Sequence, residues 1–384
     1  MSKTLELYVH IPFCVKKCNY CDFLSFSADD QMHRKYSEAL IRQIIASSKQ
    51  FRDYLVTSIY IGGGTPSWLD QELMVRILDT LLSSFCVSQD AEISMECNPG
   101  TMTKGKLEAY RLTGLNRLSI GLQSTEDDEL KMLGRIHTYE QFLKTYEMAR
   151  GAGYGNINVD LMSCLPYQTA EKFSKTLSRV IRLKPEHISA YTLMIEKGTP
   201  FYEQYKFDAV RQEAGMPTEV LPSEDECYRI YKMTQAMLTE AGYEQYETSN
   251  YAKPGFACEH NIGYWTRAEY LGLGLGAASL IGNVRYTNTT DIYKYISGEE
   301  IIAKEEPVER KAQMEEFMFL GLRMNQGISR QDFQNAFGIS VEAVYKDVLE
   351  ELKGEELLQV ANGRIFLTEK GSDLSNYVMA KFLL

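Results

Sequence analysis

Leu7–Phe26 reads LYVHIPFCVKKCNYCDFLSF, and three cysteines, Cys14, Cys18 and Cys21, fall within eight residues of it. Leu5, Leu7, Val9 and Ile11 alternate with other residues, as a short β-strand requires. The spacing C-x3-C-x2-C therefore sits on a loop directly after a first strand. Three thiolates on one loop can wrap a small soft centre, and two centres compete. Zinc needs a fourth ligand, and His10 lies four residues upstream of Cys14. A four-iron cluster held by three cysteines leaves one iron open. No second ligand pair with zinc-knuckle spacing appears elsewhere, so the position favours the cluster. An odd number of clustered cysteines argues against a disulfide.

Working outward, strand-like and helix-like segments alternate. After 5–11 come a helix over 30–49, a strand over 55–61, a helix over 70–85, and a strand over 91–97. A helix near 103–113, a strand over 116–122, and a helix over 139–152 opened by a Thr138/Gln141 capping box follow. A strand over 156–162, a helix near 169–183 and a strand over 187–193 complete six strand–helix units. Such alternation predicts a parallel sheet with helical crossovers, either an open β/α barrel or a doubly wound sheet.

Residues 194–222 hold Pro200, Pro217 and Pro222 and read as an irregular linker. Ser223 and Glu226 could cap a helix running to about Ala241, and 243–290 is rich in Tyr and Gly. From about Pro307 the pattern is helix (311–324), helix (329–336), helix (340–353), then a hairpin turning at Asn362-Gly363. That order resembles a winged helix, but its acidic KDVLEELKGEEL suits packing or substrate covering better than DNA reading. The expected divisions are a partial barrel over 1–205, a linker and barrel extension over 206–305, and a small helical unit over 306–384.

The 384 residues are 44% hydrophobic and 24% charged, with a net charge of -11, which disfavours nucleic acid as a partner. No apolar run is long enough to span a bilayer, and the N-terminus lacks a secretion signal, so a cytoplasmic location is expected. The remaining five cysteines are scattered and read as small buried residues.

In parallel β/α folds, ligands sit outside the C-terminal ends of the strands. GGGTP (62–66) follows the second strand, Glu96 ends the third, Gln123 follows the fourth, and Arg135 lies in LGRIH. Asp160 lies within the fifth strand, where a carboxylate needs a partner or ligand. Carboxylates and Gln suit ribose hydroxyls and an ammonium group; Arg suits a carboxylate. A ligand with amino acid, ribose and base fits the set.

These motifs resemble the radical S-adenosylmethionine (SAM) superfamily. YVHIPFC and HNIGYW narrow the resemblance to the oxygen-independent coproporphyrinogen III oxidase group, the oxidase HemN and its paralogue HemW, over nearly the whole chain. The resemblance implies an open parallel β/α barrel of about six strands. It implies that Cys14, Cys18 and Cys21 hold a [4Fe-4S] cluster whose open iron takes the amino and carboxylate groups of SAM. One electron then releases a 5′-deoxyadenosyl radical. Tyr8, Gly63, Gly64, Thr65, Glu96, Gln123, Arg135 and Asp160 would contact SAM, and Tyr20 would pack against its adenine.

Two departures point to the haem-chaperone branch: Phe23 stands where the oxidase has a fourth cysteine, and Cys14 lies too near the start for the oxidase's N-terminal extension. A third is Ala278 in GLGLGAAS, where the group often has His. The chaperone branch implies haem, with His260 as its axial ligand and Cys258 as a lower-ranked thiolate. It also implies an electron donor and delivery to haem-accepting respiratory proteins of the membrane. The alternatives are decarboxylation of coproporphyrinogen III to protoporphyrinogen IX, or radical chemistry on another substrate.

Overall fold

The structure, a computed structural model, describes residues 3–299 and 301–384. The first half alternates strands and helices in this order: β1 (Lys3–Ile11), α1 (Asp30–Ser48), β2 (Tyr54–Gly63), α2 (Gln71–Ser84), β3 (Val87–Cys97) and α3 (Lys104–Leu112). Then come β4 (Arg117–Gln123), α4 (Asp127–Met132), α5 (Tyr139–Gly151), β5 (Ile157–Ser163), α6 (Ala170–Leu183) and β6 (His187–Thr192). Strands β1 to β6 pair in parallel with consecutive neighbours.

The alternation in β1 explains the layering. Leu5, Leu7, Val9 and Ile11 are fully buried in one core with Tyr36, Leu40 and Ile44 of α1 and Leu73 and Ile77 of α2. Glu6, Tyr8 and His10 occupy the other face, which lines the concave interior. The Thr138/Gln141 capping box starts α5 as expected, with both reciprocal hydrogen bonds present.

The segment read as an irregular linker instead contains α7 (Pro200–Glu213). Pro200 stands in the first turn after the Thr199 cap, where a missing N–H costs nothing, so this proline starts a helix. A boundary at 205 would cut α7. Ser223 does cap α8 (Glu224–Glu240), but the Glu226 carboxylate accepts from the Ala170 N–H at 2.7 Å and not from its own cap.

Next are β7 (Glu244–Gln245), β8 (Asn250–Ala252), α9 (Glu259–Trp265), β9 (Tyr270–Leu273), β10 (Ala278–Ile281), β11 (Val284–Asn288), α10 (Ile292–Ser297) and β12 (Ile302–Pro307). They extend the sheet at both edges, giving the order β12-β11-β10-β9-β1-β2-β3-β4-β5-β6-β8-β7. The two ends do not pair, so the barrel is open. In the Gly-rich loop, a methyl at Gly274 would lie 2.6 Å from the His10 carbonyl oxygen; the loop packs directly on the end of β1.

The tail is α11 (Arg310–Gly321), β13 (Ile328–Ser329), α12 (Arg330–Phe337), α13 (Val341–Gly354), β14 (Leu358–Ala361) and β15 (Arg364–Leu367), then α14 (Glu369–Asp373) and α15 (Ser375–Ala380). It has its own core around Met318, Phe333, Val341, Leu352 and Ile365. The hairpin turns at Asn362 (φ 51°) and Gly363 (φ 74°), both left-handed, as a two-residue turn of this kind demands. Helices and hairpin follow the order of a winged helix. Among the described residues, no helix is long and apolar enough to cross a membrane.

Candidate functional site

Beyond Ile11 the chain turns into the cysteine loop. Cys14 N–H donates to the Phe26 carbonyl at 3.0 Å and Phe26 N–H to the Pro12 carbonyl at 2.9 Å, closing the loop at its neck. Its middle is pinned from two sides. Asn19 N–H reaches the Leu133 carbonyl at 2.9 Å, and Phe201 N–H reaches the Asn19 carbonyl at 3.0 Å. Tyr20 packs against the small core of Leu133, Met162 and Phe201. Cys14 is buried; Cys18 and Cys21 are half-buried. Burial pushes the Cys21 thiol up, against a pull from the Phe23 N–H.

The GGGTP turn lies directly against this loop. Gly64 N–H donates to the Ile11 carbonyl and Thr65 N–H to the Phe13 carbonyl, both at 2.8 Å, continuing the β1–β2 ladder past its end. Gly63 has φ +116°, and a methyl there would lie 2.6 Å from the His10 ring. A methyl at Gly64 would lie 2.7 Å from the Phe13 carbonyl oxygen and 3.0 Å from Cys14 Sγ. Only glycine permits this approach of backbone to thiol.

His10 is not a spare metal ligand. Its Nε2 lies 2.9 Å from the Leu24 carbonyl, so Nε2 carries the hydrogen, and Nδ1 accepts from Tyr8 O–H at 3.0 Å. Among the described residues, no three His, Cys, Asp or Glu side chains gather around a point that one metal ion could occupy.

The other rim groups arrive from the ends of β3, β4 and β5. Glu96 accepts from Tyr60 O–H and Gly63 N–H, each at 3.1 Å. Burial, and then the nearby Asp160 carboxylate, push Glu96 from 4.5 up to about 7. Asp160 is raised chiefly by burial, and it accepts from Ser119 O–H at 3.0 Å and Asn158 Nδ2 at 2.7 Å. Gln123 takes φ 72° where the β4–β5 register slips between Gly121 and Gln123. This bulge aims its amide over Gly121, beside Arg135 and Asn98.

Arg135 reaches the cysteine loop from just beyond the end of α4. Its guanidinium donates to Cys18 Sγ at 3.7 Å, to Asn98 Oδ1 at 2.7 Å and to the Gly121 carbonyl. Asn98 Nδ2 in turn donates to Thr65 Oγ1 at 2.9 Å, and Thr65 O–H donates to Cys14 Sγ at 3.5 Å. The sequence reading passed over Asn98, although it stands in the same ECNPG that marked Glu96.

His260 lies away from this rim, in the concave interior. It is 1% exposed. Nδ1 meets Ser58 Oγ at 2.8 Å, and Nε2 meets Tyr264 Oη at 3.3 Å. The ring stacks on Tyr60 at 5.2 Å. Burial, and then the Arg117 cation, lower it to about 3, so the 3.5 Å approach of Glu6 is not an ion pair. An axial haem ligand needs an approachable ring nitrogen, and both are taken. As the chain stands here, His260 is packed and hydrogen-bonded in the core. Cys258 is also fully buried, with its thiol on Glu92 at 3.3 Å. HNIGYW instead joins two units, since Trp265 at its far end lies under the Arg323 guanidinium of the tail, 4.6 Å from the ring centroid.

Residues 8–180 match the Radical SAM superfamily, which defines the class of protein that this sheet and loop belong to. Residues 308–374 match the HemN C-terminal domain. The chain is 35% identical over 386 residues to the heme chaperone HemW of Lactococcus lactis, covering 100% of this chain and 98% of that protein. It is 33% identical to the Bacillus subtilis heme chaperone HemW, covering 98% of each, and 35% identical to that of Escherichia coli K12, covering 99% and 98%. It belongs to the HemW family of radical SAM proteins. Among solved structures, coproporphyrinogen III oxidase (HemN) from Escherichia coli superposes with a TM-score of 0.85 at 25% identity, covering 99% of this chain and 90% of that one.

Proposed function

We propose that the chain is a haem chaperone of the HemW type, which carries a [4Fe-4S] cluster and SAM at the barrel rim and hands haem on. Cys14, Cys18 and Cys21 would hold the cluster. The donor set supports this fit: three thiols on one anchored loop, Thr65 O–H aimed at Cys14 and Arg135 at Cys18, and glycine backbone pressed against Cys14. When bound, the cluster and SAM supply one-electron cleavage of a sulfonium carbon–sulfur bond. Gly63, Gly64 and Thr65 would line the SAM amino-acid end, and Glu96 would accept from the N–H donors of its amino group. Gln123 and Asp160 would face the ribose, with Tyr8 deeper in the interior.

The Glu96 assignment carries a pH signature. Amino N–H donors need the ionised carboxylate as acceptor, and its population rises with pH through about 7. SAM affinity should therefore rise about tenfold between pH 6 and 8. Glu96→Gln should flatten that rise in equilibrium titrations; a rise kept in full by the variant would remove Glu96 from the amino-group site.

Haem would be held outside the interior. All five histidines, His10, His33, His137, His187 and His260, are buried, the most accessible being 7% exposed. A haem on the surface of this fold would find no exposed imidazole. His260→Ala should keep the haem absorption band and affinity while losing about 1–3 kcal/mol of stability, because Ser58 and Tyr264 lose a buried partner. Loss of the band in a folded variant would restore His260 as a ligand.

The single observation that carries the chaperone reading over the oxidase is full-length similarity to HemW proteins, with Phe23 in place of a fourth loop cysteine and standing 68% exposed. The reading requires an outside electron donor and haem-accepting respiratory proteins as partners. Anaerobic incubation with coproporphyrinogen III, reductant and SAM should give no protoporphyrinogen; detected product would reverse the assignment.

A further inference from the structure

We propose that Asn98 is a positioning residue that aims hydrogen-bond donors at two of the three cluster thiolates; this rests on the cluster reading above. A guanidinium can only donate. Arg135 Nη2 touches the Asn98 side chain at 2.7 Å, so the atom it meets must be the amide oxygen. The amide NH2 is thereby turned to Thr65 Oγ1, 2.9 Å away. That bond fills the acceptor role of the Thr65 hydroxyl and leaves its hydrogen for Cys14 Sγ at 3.5 Å. The other arm of the same guanidinium, Nη1, points at Cys18 Sγ at 3.7 Å. One donor-only group therefore fixes the direction of every hydrogen in a chain running from Cys18 through Arg135, Asn98 and Thr65 to Cys14.

The backbone of Asn98 is held for the task. Its N–H donates to Ser67 Oγ at 3.2 Å, and its carbonyl accepts from Thr101 O–H at 2.7 Å. Pro99 follows and keeps residue 98 out of helical conformation. Reversing the amide would set its NH2 against the guanidinium and offer Thr65 an acceptor, turning the hydroxyl hydrogen away from sulfur. Hydrogen bonds to thiolate sulfur stabilise the reduced cluster and raise its potential.

The test uses the full chain, reconstituted anaerobically, with iron content and midpoint potential as readouts. Asn98→Leu keeps size and charge but has no donor or acceptor. Its potential should move negative with iron loading intact. Thr65→Val should move it the same way, and Thr65→Ser should restore it. The double variant N98L/T65V should shift by less than the two single shifts added. Because Thr65→Val tests the Cys14 arm alone, misfolding of N98L leaves the proposal exposed to refutation. A loaded N98L or T65V at wild-type potential, or strictly additive shifts, would overturn the relay alone. A wild-type chain that loads no iron would overturn the cluster reading and the relay with it.

Discussion

Alanine at Cys14, Cys18 or Cys21, taken singly, is expected to abolish stable iron and sulfide loading of the anaerobically reconstituted chain. Three thiolates share the cube and no fourth cysteine stands at Phe23 to replace a lost one. Loss of mere outer partners at metal sites costs about 10–100-fold, so loss of a ligand should exceed tenfold. The fold should survive, because the loop is held through Asn19, Tyr20 and the Cys14–Phe26 neck and not through the half-buried Cys18 and Cys21 thiols. Cys86→Ala, which removes an exposed thiol just after α2, should load normally. Iron analysis and visible absorption beside a thermal melt separate loss of the site from loss of the protein. Normal loading of any one of the three variants would break the assignment.

The second large effect concerns stability. Arg117 is 1% exposed, with Nε 3.8 Å from Glu92 Oε2 and Nη1 3.4 Å from Ser94 Oγ. It is the cation of a buried acidic interior, where burial, and then Glu92, push Glu6 up to about 8. Arg117→Met strips Glu92 of that cation and should cost about 3–5 kcal/mol, the usual penalty for breaking a buried pair from one side. Adding Glu92→Gln should recover much of the loss, since what destabilises is the orphaned charge and not a missing contact. Denaturant unfolding of the two variants decides it: a single variant within about 1 kcal/mol of wild type would mean that water already reaches this interior.

The sheet was legible because parallel strands and their helices carry apolar residues at clear periods, as Leu5 to Ile11 and the α5 capping box illustrate. The failures have physical causes. Three prolines make 194–222 read as an irregular linker, yet Pro200 stands in a first turn, where it lacks only an N–H that the helix does not use. Glu226 looked like half of a capping box, but its carboxylate found a better donor in Ala170, which is near only after folding. For the site, residues at strand ends could be located by rule, since topology fixes their position. Their partners could not. Arg135 and Asn98 acquire their roles from contacts more than 30 residues away in sequence. For His260 the motif itself holds Tyr264, four residues on, whereas Ser58 comes beside the other ring nitrogen only on folding.

The central claim is an iron cube on three thiolates with one corner open beside the glycine turn. Electron paramagnetic resonance of the reconstituted, reduced chain, recorded with and without SAM, tests it most directly. The account predicts the signal of a single reduced [4Fe-4S] cluster whose line shape changes when SAM is added. A full cluster signal that SAM leaves untouched, or tightly bound zinc with no paramagnetic iron, would contradict it.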